Sequence, residues 1–301
     1  MGAIRWLHVA ALLGAVVLIA LSGRPLAVQT ATAIPVYEAV AAPAIYRGAA
    51  VDGTRVWFST TEAFPGTGDT DWAEDIYERR PDGKVRLIST GGRNIGTTFL
   101  RGHGGKGPVW FATHETIPGT GDTDTASDIY ERTNGNVLRL VSPGSADEPA
   151  QFLGASVDGK RLWFGTAEAI PRTGDTDYAY DIYQRTTHRA ITLVSLGVSD
   201  IPATFVGASA DGSRVWFRTD EAIPGTGDTD LTRDIYEATA GRVRLITPGT
   251  ANLDAHFVAA SAVGARVWFR TREALPGTGD TDQSHDIYEA KSGAIRITVR
   301  N

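Results

Sequence analysis

An all-β fold assembled from five copies of one four-stranded unit is what this sequence predicts, on three observations. First, a block reading Trp-Phe, Pro-x-Thr-Gly-Asp-Thr-Asp and Asp-Ile-Tyr occurs five times. Its tryptophans, Trp57, Trp110, Trp163, Trp216 and Trp268, are 53, 53, 53 and 52 residues apart. A period that regular marks one supersecondary unit, repeated and stacked. Second, spacing inside the unit is rigid: each Trp follows a Tyr or Phe by 11 residues, from Tyr46–Trp57 to Phe257–Trp268, and precedes the first loop aspartate by 12. Length changes only in the last hairpin, where copies four and five lack one residue; a turn absorbs such a change, whereas a strand would lose its register. Third, short β-rich runs alternate with turn residues, and no useful length of chain carries helical periodicity.

The chain opens differently from the repeats. Arg5 gives a basic start, Leu7 to Leu21 is apolar except for His8, and Ala31-Thr32-Ala33 follows. That is the layout of a cleaved secretory signal peptide over residues 1–33. The alternative is an uncleaved membrane anchor, because 18 uncharged residues separate Arg5 from Arg24, near the minimum for a bilayer span. Residues 34–301 then form the repeat domain. Val36-Tyr37-Glu38-Ala39 echoes Ile287-Tyr288-Glu289-Ala290 and offers a supplementary closing strand.

The fourth copy justifies the unit strand by strand. Thr204 to Ser209 is a run of small and apolar residues suited to a first strand, and Asp211-Gly212 is a hairpin turn whose glycine tolerates positive φ. Arg214 to Thr219, containing Val-Trp-Phe, is a second strand that is apolar on both faces. Asp234-Ile235-Tyr236-Glu237 is the third, and Val243 to Ile246 the fourth, beyond a turn at Gly241. A single such sheet leaves apolar faces in water, and only stacked neighbours cover both. Four antiparallel strands per repeat, arranged radially, make the blade of a β-propeller, so five copies predict five blades. The first strand begins at Ile45 and the last fourth strand ends at Val299, so closure is expected from packing of blade one against blade five.

The run Ala208 to Thr247, Ala-Ser-Ala-Asp-Gly-Ser-Arg-Val-Trp-Phe…Asp-Ile-Tyr-Glu…Val-Arg-Leu-Ile-Thr, resembles the WD-repeat-like propeller repeat of TolB-type exported proteins. The resemblance covers about residues 44–301 and implies a propeller that binds other proteins. Two departures limit it. The family repeat lacks the long Thr-Glu-Ala-x-Pro-Gly-Thr-Gly-Asp-Thr-Asp insert, and TolB carries a separate N-terminal domain with no counterpart in this chain. Its role in envelope maintenance therefore does not transfer.

Charge narrows the partners. Residues 1–33 hold two arginines and no acid, leaving 27 basic against 35 acidic side chains, a net −8. Such a balance argues against nucleic acid and anionic membrane surfaces. A membrane would be a partner only through an uncleaved N-terminus. The chain has no cysteine, so a disulfide framework and a lipoprotein anchor are both excluded.

Every copy carries three aspartates at i, i+2 and i+6: Asp69, Asp71, Asp75; Asp122, Asp124, Asp128; Asp175, Asp177, Asp181; Asp228, Asp230, Asp234; and Asp280, Asp282, Asp286. Oxygen-only ligands after a glycine that permits a sharp turn suit a hard cation such as Ca²⁺, structural in role and up to one per blade. Two carboxylates ~4 Å apart repel by about 4 kcal/mol at an effective dielectric near 20, and no basic residue recurs in the loops to relieve this. The alternative stands beside it: Asp and Thr in turns commonly cap their own backbone amides, and the EF-hand spacing is absent. Glu62, Glu115, Glu168, Glu221 and Glu273 also recur, either to complete a metal shell or to solvate the loop.

Residues that break the symmetry offer little chemistry. The histidines occupy different positions in different copies, no Gly-x-Ser-x-Gly elbow occurs, and no phosphate-cradling loop precedes a helix. The acids peculiar to single copies, Asp147, Glu148, Asp200 and Asp254, lie in links between units and read as solvated loop residues. The functional expectation is an exported, extracytoplasmic, non-enzymatic binding or scaffold module presenting an acidic face to a protein or glycan. The alternatives are a lectin with one site per repeat and a glycoside hydrolase on the propeller, the latter needing paired acids that bracket one bond.

Overall fold

The computed structural model describes residues 43–300, apart from 91, 145, 188, 189 and 250. The expected signal peptide and the segment Val36-Tyr37-Glu38-Ala39 lie outside these residues. The described chain is all β: twenty strands make five four-stranded antiparallel sheets, the blades of a five-bladed β-propeller. No helix among the described residues is long and apolar enough to cross a membrane.

Each blade is a simple meander in chain order. Blade one is β1 (Ile45–Ala49), β2 (Val56–Thr60), β3 (Asp75–Arg79) and β4 (Val85–Leu87); blade two is β5 (Thr97–Gly102), β6 (Val109–Thr113), β7 (Asp128–Arg132) and β8 (Leu138–Leu140). Blade three is β9 (Gln151–Ala155), β10 (Arg161–Thr166), β11 (Asp181–Thr186) and β12 (Ile191–Leu193). Blade four is β13 (Thr204–Ala208), β14 (Val215–Thr219), β15 (Asp234–Thr239) and β16 (Arg242–Leu245); blade five is β17 (His256–Ala260), β18 (Val267–Thr271), β19 (Asp286–Lys291) and β20 (Ala294–Val299).

Strand alternation assigns Trp and Phe of each Trp-Phe pair to opposite faces, and both faces are covered. Trp57, Ile76 and Ile88 of blade one pack against Val109, Phe111, Ile117, Tyr130 and Leu140 of blade two. Equivalent clusters join blades two and three, three and four, and four and five. Each tryptophan also meets the first-strand phenylalanine of the next blade: Trp57–Phe99, Trp110–Phe152, Trp163–Phe205 and Trp216–Phe257 have ring centroids 5.8, 6.4, 5.9 and 6.1 Å apart. Offset aromatic pairs at this range add to burial. A β-bulge interrupts every first strand, between Phe205 and Gly207 in blade four for example, and re-aims the phenylalanine relative to the strand's end.

Polar ties follow the same interfaces. The residue at the start of each new first strand, or just before it, donates to the residue before the preceding third strand: Thr97 N–H to Glu74 O, Ala150 to Ser127, Ala203 to Tyr180 and Ala255 to Arg233, at 2.8–3.0 Å. On the opposite edge, turn bonds 2.9 and 2.8 Å long run from Val157 N–H to Ala210 O and from Ala210 N–H to Ala262 O. Arg132 donates to Ile88 O and Ser89 O of the preceding blade, and Arg185 to Val141 O. Each clamp satisfies backbone carbonyls that would otherwise be buried without partners.

Buried charge sits beside the tryptophans. Trp57 Nε1–H donates to Glu78 Oε2 at 3.1 Å, and Trp216 Nε1–H to Glu237 Oε2 at 3.0 Å. Arg55, Arg80 and Arg86 surround the fully buried Glu78. Burial alone would raise its pKa, but hydrogen bonds from Arg80 and Arg55 and the charges of Arg55 and Arg86 outweigh burial and hold it below the usual carboxylate range.

The expected packing of blade one against blade five is the one part of the ring that differs. Tyr46 is 68% exposed, and it makes no ring contact with Trp268 among the described residues, while Trp268 is half-buried where its four counterparts are fully buried. Phe58 and Phe64 of blade one and Ile287 of blade five are half-buried too. Among the described residues, the blade-to-blade apolar clusters therefore number four, joining blades one to two, two to three, three to four and four to five.

Candidate metal centre

The loop between second and third strands is shaped by glycines. Gly225 and Gly227 adopt φ of 79° and 86°, and the same pair recurs in blades one, two and five. In blade three Arg172 holds the first of these positions at φ 71°, a conformation that penalises any residue with a Cβ. The double turn folds the three aspartates back on one another. In all five blades one carboxylate oxygen from each of the three lies within 4.8 Å of those of the other two, so all fifteen residues singled out from the sequence converge blade by blade.

Hydrogen bonds account for part of each carboxylate. Asp69 Oδ1 accepts from Asp71 N–H at 3.1 Å, and Asp71 Oδ1 from Ala73 N–H at 2.7 Å, the Asx turns expected of such loops. Asp69 Oδ2 accepts from the Tyr77 hydroxyl, and the equivalent tyrosine bond recurs in every blade. The third aspartate accepts from a hydroxyl two residues beyond the fourth strand, Ser89 to Asp75 at 2.5 Å and Thr247 to Asp234 at 2.6 Å. Turn capping is thus present in full, and the cation reading rests on the oxygens it leaves over.

Three acidic oxygens stand out, two in blade one and one in blade two. Asp71 Oδ2, Asp75 Oδ2 and Glu115 Oε2 are buried without a hydrogen-bond partner. Unpartnered buried carboxylate oxygens are costly, and a bound cation is one of the few things that satisfies several at once. Burial pushes Asp75 up to about 7, with the Ser89 hydroxyl opposing and the charges of Asp69, Asp71 and Glu115 adding to the rise. Asp128, Asp181 and Asp234 are raised to about 7 by the same combination.

The recurring glutamates do more than solvate the loop. Glu115, Glu168, Glu221 and Glu273 are buried. Glu168 Oε1 accepts Ala146 N–H at 2.5 Å, Glu221 Oε1 accepts Val198 N–H at 2.7 Å, and Glu273 Oε1 accepts Ala251 N–H at 2.6 Å, so each holds the link that enters its own blade. Each also couples to the preceding blade's third aspartate: Glu115 to Asp75, Glu168 to Asp128, Glu221 to Asp181 and Glu273 to Asp234. In these four cases the glutamate comes from the next blade, a relation that spacing within one repeat cannot reveal.

Side chains at the loop tips vary. The residue after Asp-Thr-Asp is Trp72, Thr125, Tyr178, Leu231 and Gln283 in turn, and Trp72, Tyr178 and Leu231 are largely exposed. Of the copy-specific acids, Asp147 accepts from Thr125 N–H at 3.1 Å and Asp254 from Arg233 N–H at 3.2 Å, while Glu148 and Asp200 are exposed in the links.

No family model matches the sequence, and no curated protein matches it. Solved structures do. TolB from Acinetobacter baumannii is 16% identical with a TM-score of 0.34, over 84% of this chain and 52% of that one. A prolyl endopeptidase chain gives 14% identity and a TM-score of 0.44 over 86% of this chain and 36% of that one. An oligogalacturonate lyase in complex with manganese gives 14% and 0.40 over 82% and 62%. The chain thus spans about a third to three-fifths of these proteins.

Proposed function

We propose that the protein is an exported, non-enzymatic binding or scaffold propeller whose acidic loops take structural Ca²⁺ and present a protein-docking face. The observation that carries the metal reading is the set of three buried, unpartnered carboxylate oxygens on Asp71, Asp75 and Glu115. Oxygen-only donors of this number suit calcium, with the modest affinity usual for extracellular modules. The ion would tie one blade's loop to the next blade's glutamate and so serve the interface rather than a reaction. Variation at the exposed tips, Trp72, Tyr178 and Leu231 against Thr125 and Gln283, favours one macromolecular partner over an identical glycan pocket in each repeat. The sequence resemblance to TolB-type exported repeats supports the same class of role and an extracytoplasmic setting.

Calorimetric titration of the chelator-treated chain with calcium, followed by thermal unfolding, tests this. Calcium at about 100 times its Kd should stabilise by about 2.7 kcal/mol per site, and Asp228→Ala should remove one blade's share. Melting that is unchanged between EDTA and millimolar calcium would overturn the metal reading.

A further inference from the structure

The outer faces of blades one and five carry the two halves of the contact that the described residues form four times between neighbouring blades. On the trailing side of blade five stand Trp268 and Ile287, in the positions of Trp57 and Ile76, and both are only half-buried. On the leading side of blade one stand Tyr46, Phe58 and Phe64, in the positions of Phe99, Phe111 and Ile117. The seat for a tryptophan is also formed there. A Cβ on Gly212 would come within 3.0 Å of Trp163, and one on Gly264 within 3.1 Å of Trp216, because these turn glycines lie under the preceding blade's indole. Gly53 makes the same turn, at φ 68°, with nothing within 4 Å of it.

Polar complements match as well. The chain of turn bonds from Val157 through Ala210 ends at Ala262, and Val51, at the corresponding place in blade one, is fully exposed. Arg55 and Arg161 each reach a turn carbonyl in the next blade, and Arg266 of blade five holds the same position before its Val-Trp pair.

We propose that these faces engage between copies of this chain, blade five of one molecule against blade one of the next. The contact continues the interface already present within the molecule, with Trp268 seated over Gly53 and against Tyr46. It is heterologous, so after a single junction each copy retains one unused face and the pair retains one of each kind. The proposal stands without calcium.

Light scattering and sedimentation of the full chain over a rising concentration series test it. The expected result is a mass above the 32.1 kDa of one chain that grows with concentration. Tyr46→Asp and Trp268→Ser should each return the mass to one chain. Tyr46 is exposed in the single molecule, so its substitution leaves that molecule's packing intact, and a melting curve checks this. Mixing the two variants should give a two-chain species and nothing larger, since one good face remains on each. A single-chain mass at every concentration, as closure of one molecule on itself would give, overturns the proposal. So does association that neither substitution changes, or a mixture that stays monomeric.

Discussion

At the scale of single residues, the third aspartates carry the chemistry most open to test. In the metal-free chain Asp75, Asp128, Asp181 and Asp234 are held at about 7, against an ordinary value of 3.8. The folded chain therefore binds more protons than the unfolded chain between these values, and its stability falls as pH rises from about 4 through 7. Glu78 works in the opposite sense: its pKa is depressed, so its contribution is present above its ordinary value and is lost as pH falls through the folded one. Urea midpoints of the EDTA-treated protein should decline from pH 5 to pH 8, and saturating calcium should flatten that decline. Asp75→Asn should stabilise the metal-free protein at pH 8 and weaken its response to calcium. The aspartate triads were legible in the sequence because their spacing is local. Glu115 was legible only as a recurring acid, since its placement beside Asp75 depends on how two blades meet.

Strands and loops form the next scale. Glu78→Ala would leave Arg55 buried beside Trp57 without its carboxylate, at a cost of about 3–5 kcal/mol measurable by denaturant unfolding. Glu78→Gln retains an acceptor for the indole, as Gln184 does for Trp163, so it should cost less. In the acidic loop, Gly225→Arg should lose about 1 kcal/mol and Arg172→Gly should recover a similar amount, because only one of the two residue types tolerates the left-handed turn freely. Strand positions were readable from the Val-Trp-Phe and Asp-Ile-Tyr runs to within a residue or two, and the observed β14 and β15 start at Val215 and Asp234 as the pattern requires. The bulge in each first strand was not readable. Its extra residue, Val206 in blade four, is apolar like its neighbours, and the offset arises from pairing with β14 rather than from composition.

For the molecule as a whole, the repeat period announced five blades but could not say whether the first and last would meet, since identical copies carry identical faces wherever they stand. Unequal burial of equivalent tryptophans gives a measurable contrast. Trp163→Ala should cost about 3–5 kcal/mol, and Trp268→Ala under about 2 kcal/mol at concentrations where the chain is monomeric. Equal losses at the two positions would mean that the terminal face is as well sealed as the interior ones.

The glutamates that hold each incoming link also impose a schedule on the chain as it is made. Blade one reaches its full complement of acids only after Glu115 has been synthesised, some 40 residues beyond Asp75, and the same lag recurs down the molecule. Each of the first four modules is thus finished by its successor.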